Sequence, residues 1–167
     1  MKALTLHPPY ARLIALGKKR YETRPASFNY KHRGVLAIHE SKQALDLQLI
    51  NYILAAAPEG SLSIGDFGEV RPGQIVAICQ LVEVYEMASA DSFSPATPEA
   101  ISQYRLIENQ SALERAVGDW RPGRKAIELA EVRPLPEPVE ARGYQGLWNV
   151  PADIEQKIWK QLEVSVA

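Results

Sequence analysis

Cysteine is nearly missing from this chain: Cys79 stands alone, so no internal disulfide can form. Its setting, Ile75-Val76-Ala77-Ile78-Cys79, marks it as a small buried hydrophobe rather than a nucleophile. Long apolar runs are missing too, and this one falls far short of the roughly 20 residues a membrane helix needs. The opening Lys2-Ala3-Leu4-Thr5-Leu6 alternates as a strand does, without an apolar signal region or small-residue cleavage site, so a cytoplasmic location is expected. Histidine is scarce. His7, His32 and His39 stand at no spacing that a helix or hairpin turns into a metal site, and no cysteine joins them, so neither metal nor other cofactor is expected. There is no internal repeat and no low-complexity tract.

Charge is plentiful but unevenly placed. Residues 1–42 carry nine Lys or Arg against Glu22 and Glu40, while residues 43–167 carry ten against eighteen acids, so the overall −1 conceals halves of +7 and −8. Such segregation points to one basic surface able to attract phosphates or other anions. With 167 residues, 46% of them hydrophobic, the chain suffices for one well-buried core and is read as a single domain, 1–167.

The patterns along the chain alternate irregularly between strand and helix. After the first strand, His7-Pro8-Pro9 suits a helix start, with Tyr10, Leu13 and Ile14 at helical spacing and Gly17 as its stop. A strand Arg20–Arg24 closes at Pro25, and a polar loop with Phe28 and Tyr30-Lys31-His32-Arg33 follows. Val35 to Glu40 alternates as a strand whose end delivers His39 toward Ser41 and Lys42. A helix is expected over 43–57, stopped by Pro58 and Gly60. The strand Ile75–Val84 is apolar on nearly every residue, as a central strand covered on both faces should be. Thr97-Pro98-Glu99 reads as the start of a helix through Ile101 and Tyr104 toward Leu113 or Val117, with Asn109-Gln110-Ser111 as an interruption. Ala126–Arg133 forms a further strand. Pro134-Leu135-Pro136-Glu137-Pro138 must be extended yet cannot pair continuously in a sheet. Trp148 reads as core, and Pro151–Leu162 as the last helix. Trp120 and Trp159 read as structural. The expected class is α+β, a small mixed β-barrel with surrounding helices, rather than a doubly wound parallel sheet.

The most informative segment is Gly17-Lys18-Lys19-Arg20-Tyr21-Glu22-Thr23-Arg24, where a short helix gives way to a strand. Residues two apart in a strand share a face, so Glu22 and Arg24 stand side by side, with Lys19 on the entry turn within reach. This makes either a polar pocket floor or an ordinary exposed ion pair, which stabilises little.

Taken together, Lys2–Leu6, the Gly17-x-Lys19-x-x-Glu22-x-Arg24 segment, Gly34 to His39 with Ser41-Lys42, the Pro72-Gly73 turn, and Arg133-Pro134-Leu135-Pro136 leading to Gly146-Leu147-Trp148 resemble the ASCH domain, named for homology to activating signal cointegrator. The resemblance spans nearly the whole chain in order. It implies a fold similar to PUA domains and a cleft beside the barrel for single-stranded RNA, a nucleotide or a modified nucleoside. Lys19, Glu22, Arg24, His39, Ser41 and Lys42 would meet there, with His7 and Tyr10 at the rim. Tyr10 stands where many relatives carry tryptophan, and Pro25-Ala26-Ser27-Phe28 departs from their Trp-Pro pair. Some bacterial members resemble amidohydrolases acting on N4-acetylcytidine through a lysine-activated threonine. Here Glu22 takes that threonine's place, while Thr23 should face the opposite side. The enzyme alternative therefore needs Lys19 with Glu22, the carboxylate attacking directly or acting as base for water. Ribonuclease activity, also suggested within the family, would use His7 or His39 with Lys19. A protein partner is a further alternative.

Overall fold

The computed structural model describes residues 1–28, 31–68, 71–87 and 110–164. Its centre is a mixed six-stranded sheet. The strands are β1 (Lys2–Leu6), β2 (Tyr21–Pro25), β3 (Gly34–Glu40), β4 (Gln74–Glu86), β5 (Arg124–Glu140) and β6 (Leu147–Asn149). They lie in the order β2-β5-β4-β3-β1-β6, with β1 and β3 parallel and every other pair antiparallel. Among the described residues four α-helices flank the sheet: α1 (Tyr10–Ala15), α2 (Leu47–Ala56), α3 (Ala112–Ala116) and α4 (Ala152–Val164). The expected α+β class with a mixed, barrel-like sheet is the observed one. No helix among the described residues is long and apolar enough to cross a membrane.

β4 is an interior strand, and Ile75 to Cys79 is an unbroken buried run. On one face, Leu4, Leu6, Leu36, Ile38, Cys79 and Ile127 pack with Ala11 and Ile14 of α1. On the other, Ala3, Ala37, Ile75, Ile78 and Trp148 pack with Ile158 and Leu162 of α4. Coverage on both sides explains why β4 shows no polar alternation. Burial pushes the Cys79 thiol up to about 12, which leaves it uncharged and unreactive.

Some elements differ from expectation. The second helix begins only at Leu47, because the Asp46 carboxylate accepts from the amides of Gln48 (2.9 Å) and Leu49 (3.2 Å) and caps it there. β5 is longer than expected and runs through the proline-rich stretch, yet its pairing does skip: Ala77 lies opposite Pro134, and Ile75 opposite Val139. The expected helix from Thr97 through Ile101 and Tyr104 lies outside the described residues, as does Tyr30. Beyond it, α3 starts afresh after Ser111, whose hydroxyl accepts from the Glu114 amide at 3.1 Å.

Candidate functional site

The helix stop at Gly17 sets the geometry of everything after it. Gly17 adopts φ +69°, a left-handed conformation glycine accommodates, and the amides of Lys18 and Lys19 both donate to the Leu13 carbonyl. This turns Lys19 inward. Its side chain is 1% exposed, and Nζ donates to the Val117 carbonyl at 2.6 Å and lies 3.8 Å from Glu22 Oε2. The Tyr10 ring centroid is 5.3 Å from the same ammonium. Burial lowers the Lys19 pKa, while the charges of Glu22 and Glu114 pull it back up. Arg24, two residues beyond Glu22, places Nε 2.9 Å from Glu22 Oε1. The three charged groups form one row, Lys19, Glu22, Arg24, in which Lys19 and Glu22 are buried and Arg24 is partly exposed. An exposed ion pair is ruled out.

Glu114 completes this corner. Its buried carboxylate accepts from the amides of Arg20 and Tyr21, tying α3 to the start of β2. The sequence reading passed over it, although Ser111-x-x-Glu114 carries the spacing of a helix-start motif. Thr23 does face the other way: its hydroxyl accepts from the Asp119 amide at 3.0 Å.

A cleft of about 1140 Å³ opens at the Arg24 end of the row. Arg24, His7, His39, Ser41 and Lys42 all line it, as do Thr5, Phe28 and the strap Ala141–Gly146 between β5 and β6. His39 reaches it through an irregularity in the β3–β4 register between Ile38 and His39, which re-aims the strand end. His39 Nε2 donates to the Ala141 carbonyl at 3.1 Å, while Nδ1 is buried without a hydrogen-bond partner. Burial holds the ring below its ordinary pKa, against the upward pull of the Ala141 and Gly73 carbonyls. His7 Nδ1 and Ser41 Oγ lie 3.2 Å apart at the exposed rim.

The eight residues expected in one site are thus divided. His7, Arg24, His39, Ser41 and Lys42 share the cleft, whereas Lys19 and Glu22 lie behind Arg24 and line neither this cleft nor a second one of about 660 Å³. Tyr10 lines the second, with Tyr52, Asp119 and Trp120. Of the nine cations of residues 1–42, Arg24 and Lys42 line the first cleft and the others lie elsewhere. Arg20 pairs with Glu128 and Arg33 with Glu83, Arg12 donates to the Asp66 and Gly65 carbonyls, and Lys18 donates to that of Ser61. Four of the nine cations of residues 1–42 are thereby tied to residues of the 43–167 part, because residues far apart in sequence become neighbours in the fold.

The family model for the ASCH domain matches residues 4–139. The chain belongs to the ASCH domain family. Two solved structures carry the same fold: an ASCH protein from Zymomonas mobilis, and a serine-to-alanine variant of it. Each is 15% identical with a TM-score of 0.51, covering 95% of this chain and 93% and 94% of theirs. A comparison with curated protein sequences finds no match. In this ASCH domain the signature lysine, glutamate and arginine are one connected row, of which only the arginine opens onto the cleft.

Proposed function

We propose that this ASCH domain is a cytoplasmic binding module whose cleft takes single-stranded RNA, a nucleotide or a modified nucleoside. The observation that carries this reading is the charge lining the cleft. Arg24, Lys42 and Arg142 face it against a single carboxylate, Glu140, and neither Lys42 nor Arg142 has an ion-pair partner among the described residues. Unpaired cations around a concave site favour an anionic ligand, and a planar guanidinium suits phosphate or a base edge. Ser41 and His7 add hydrogen-bonding groups at the rim. Glu22 serves in this reading as the anchor that orients Arg24.

The hydrolase reading draws less support. It needs Lys19 and Glu22 to meet a substrate, and both are buried behind Arg24, the lysine already donating to Val117.

The test is a titration of the purified protein with short single-stranded RNAs and a panel of nucleosides including N4-acetylcytidine, followed by fluorescence anisotropy and by mass spectrometry of products. Binding without product, weakened by added salt and by Lys42→Ala, supports the module. Turnover that disappears in Glu22→Gln or Lys19→Ala would establish the enzyme instead. No binding to any nucleic acid or nucleoside would redirect the search to a protein partner.

A further inference from the structure

The strap Ala141–Gly146 has chemistry that the signature residues do not supply. Tyr144 stands on the cleft wall and is 52% exposed. The Arg142 guanidinium lies over one face of its ring, 5.4 Å from the centroid, so a base would stack on the other face, and Trp148 meets the ring at 5.6 Å in an edge-on arrangement. Trp148 is itself fixed, donating from Nε1 to Thr5 Oγ1 at 3.0 Å. The strap is pinned just before the tyrosine, since a Cβ on Gly143 would come within 2.4 Å of His39 Cε1 and 2.9 Å of Thr5 Oγ1. An exposed aromatic ring held in place by a buried tryptophan and a close backbone contact is preorganised, so little ordering cost remains for a ligand that stacks on it.

We propose that Tyr144 is a base-stacking platform and Arg142 its phosphate-binding neighbour, and that the cleft's ligand is a single-stranded nucleic acid segment rather than a free nucleoside. This rests on the nucleic-acid reading above and narrows it. Aromatic faces bind bases with little sequence preference, but only where the base is not already stacked in a duplex. The cleft volume of about 1140 Å³ exceeds the roughly 300–1,000 Å³ usual for small-molecule pockets. Lys42 and Arg142 stand along it without ion-pair partners among the described residues, beside the Glu22-paired Arg24, and a free nucleoside carries no phosphate to meet them.

The experiment uses the full chain with a short single-stranded oligoribonucleotide carrying one 2-aminopurine, its duplex with the complement, and 2-aminopurine riboside monophosphate. Stacking on a tyrosine quenches the fluorophore. The expected result is quenched binding of the single strand over the duplex and the monophosphate. Tyr144→Ala should weaken affinity by about five- to 150-fold, the span that loss of one base-stacking aromatic gives, while Tyr144→Phe retains binding and quenching. Arg142→Gln should lower the slope of affinity against salt by about one phosphate contact. Tyr144 is exposed, so circular dichroism should show Tyr144→Ala folded. If the single strand binds and Lys42→Ala weakens it, but Tyr144→Ala changes neither affinity nor quenching, the platform assignment falls and the broader reading stands. Equal affinity for monophosphate and oligonucleotide would overturn the single-strand assignment. Failure of every probe to bind overturns both readings.

Discussion

Arg24 on β2 donates from Nη2 to the Thr5 carbonyl on β1 at 3.0 Å, although β5, β4 and β3 stand between those two strands in the sheet. The bond is made across the curl of the sheet. One guanidinium therefore pairs with Glu22, spans the barrel-like interior to Thr5, and forms part of the cleft wall.

Replacement of Arg24 by lysine should keep the charge and lose the bridge, since one ammonium lacks the planar fork that reaches two partners in different directions. We expect Arg24→Lys to lower stability by about 1.5–3 kcal/mol, the usual worth of a hydrogen bond to a charged group, and to weaken ligand binding as well. Urea unfolding and the RNA titration check the two halves separately. Wild-type stability in Arg24→Lys would mean that the Thr5 bond contributes nothing.

Lys19→Ala leaves Glu22 with Arg24 alone and strips the Val117 carbonyl of its donor. Breaking a buried charge pair costs about 3–5 kcal/mol, so a large fall in the urea midpoint is expected. Lys19→Met, which keeps the volume, should be less damaging than alanine if packing shares the load. A midpoint shift in Lys19→Ala no larger than that of a surface lysine variant such as Lys157→Ala would contradict the buried assignment.

His39 should make stability depend on pH. Its folded pKa lies below the ordinary 6.5, chiefly through burial and also through the nearby Lys42 charge, so the unfolded chain takes up the proton more readily. The contribution is whole above about pH 6.5 and is lost as pH falls through the folded pKa. Glu40 has the opposite sign, because burial raises its pKa and its contribution is lost as pH rises through that raised value. The difference between wild type and His39→Gln therefore isolates the imidazole. Thermal midpoints measured from about pH 7 down to about pH 5 should fall more for wild type than for His39→Gln. Parallel curves would place the histidine's pKa where it is in the unfolded chain.

Gly143→Ala should tell whether the strap's position matters. The new methyl must displace the His39 ring or lift the strap, and overpacking of this kind costs about 1–3 kcal/mol. We expect a lower melting temperature and altered tryptophan fluorescence from Trp148, which touches both His39 and Tyr144. Unchanged emission and melting would show that the strap yields freely.

Local pattern in the sequence determined much of this protein. The period of two in Glu22-x-Arg24 put a carboxylate and a guanidinium on one face, Gly17 stopped the first helix, and the apolar run at Ile75–Cys79 marked an interior strand. The proline-rich stretch declared an interrupted pairing. Each is a short-range consequence of backbone geometry, steric limits or hydrophobicity, which a few neighbouring residues suffice to express. Tertiary structure decided burial and company. Lys19 is a hidden ion because Val117, 98 positions away, offers a carbonyl above it, and Tyr144 lines the cleft because Gly143 lets the strap lie against His39. Such contacts depend on how the sheet curls and on which distant segments cross it, and no local period encodes that.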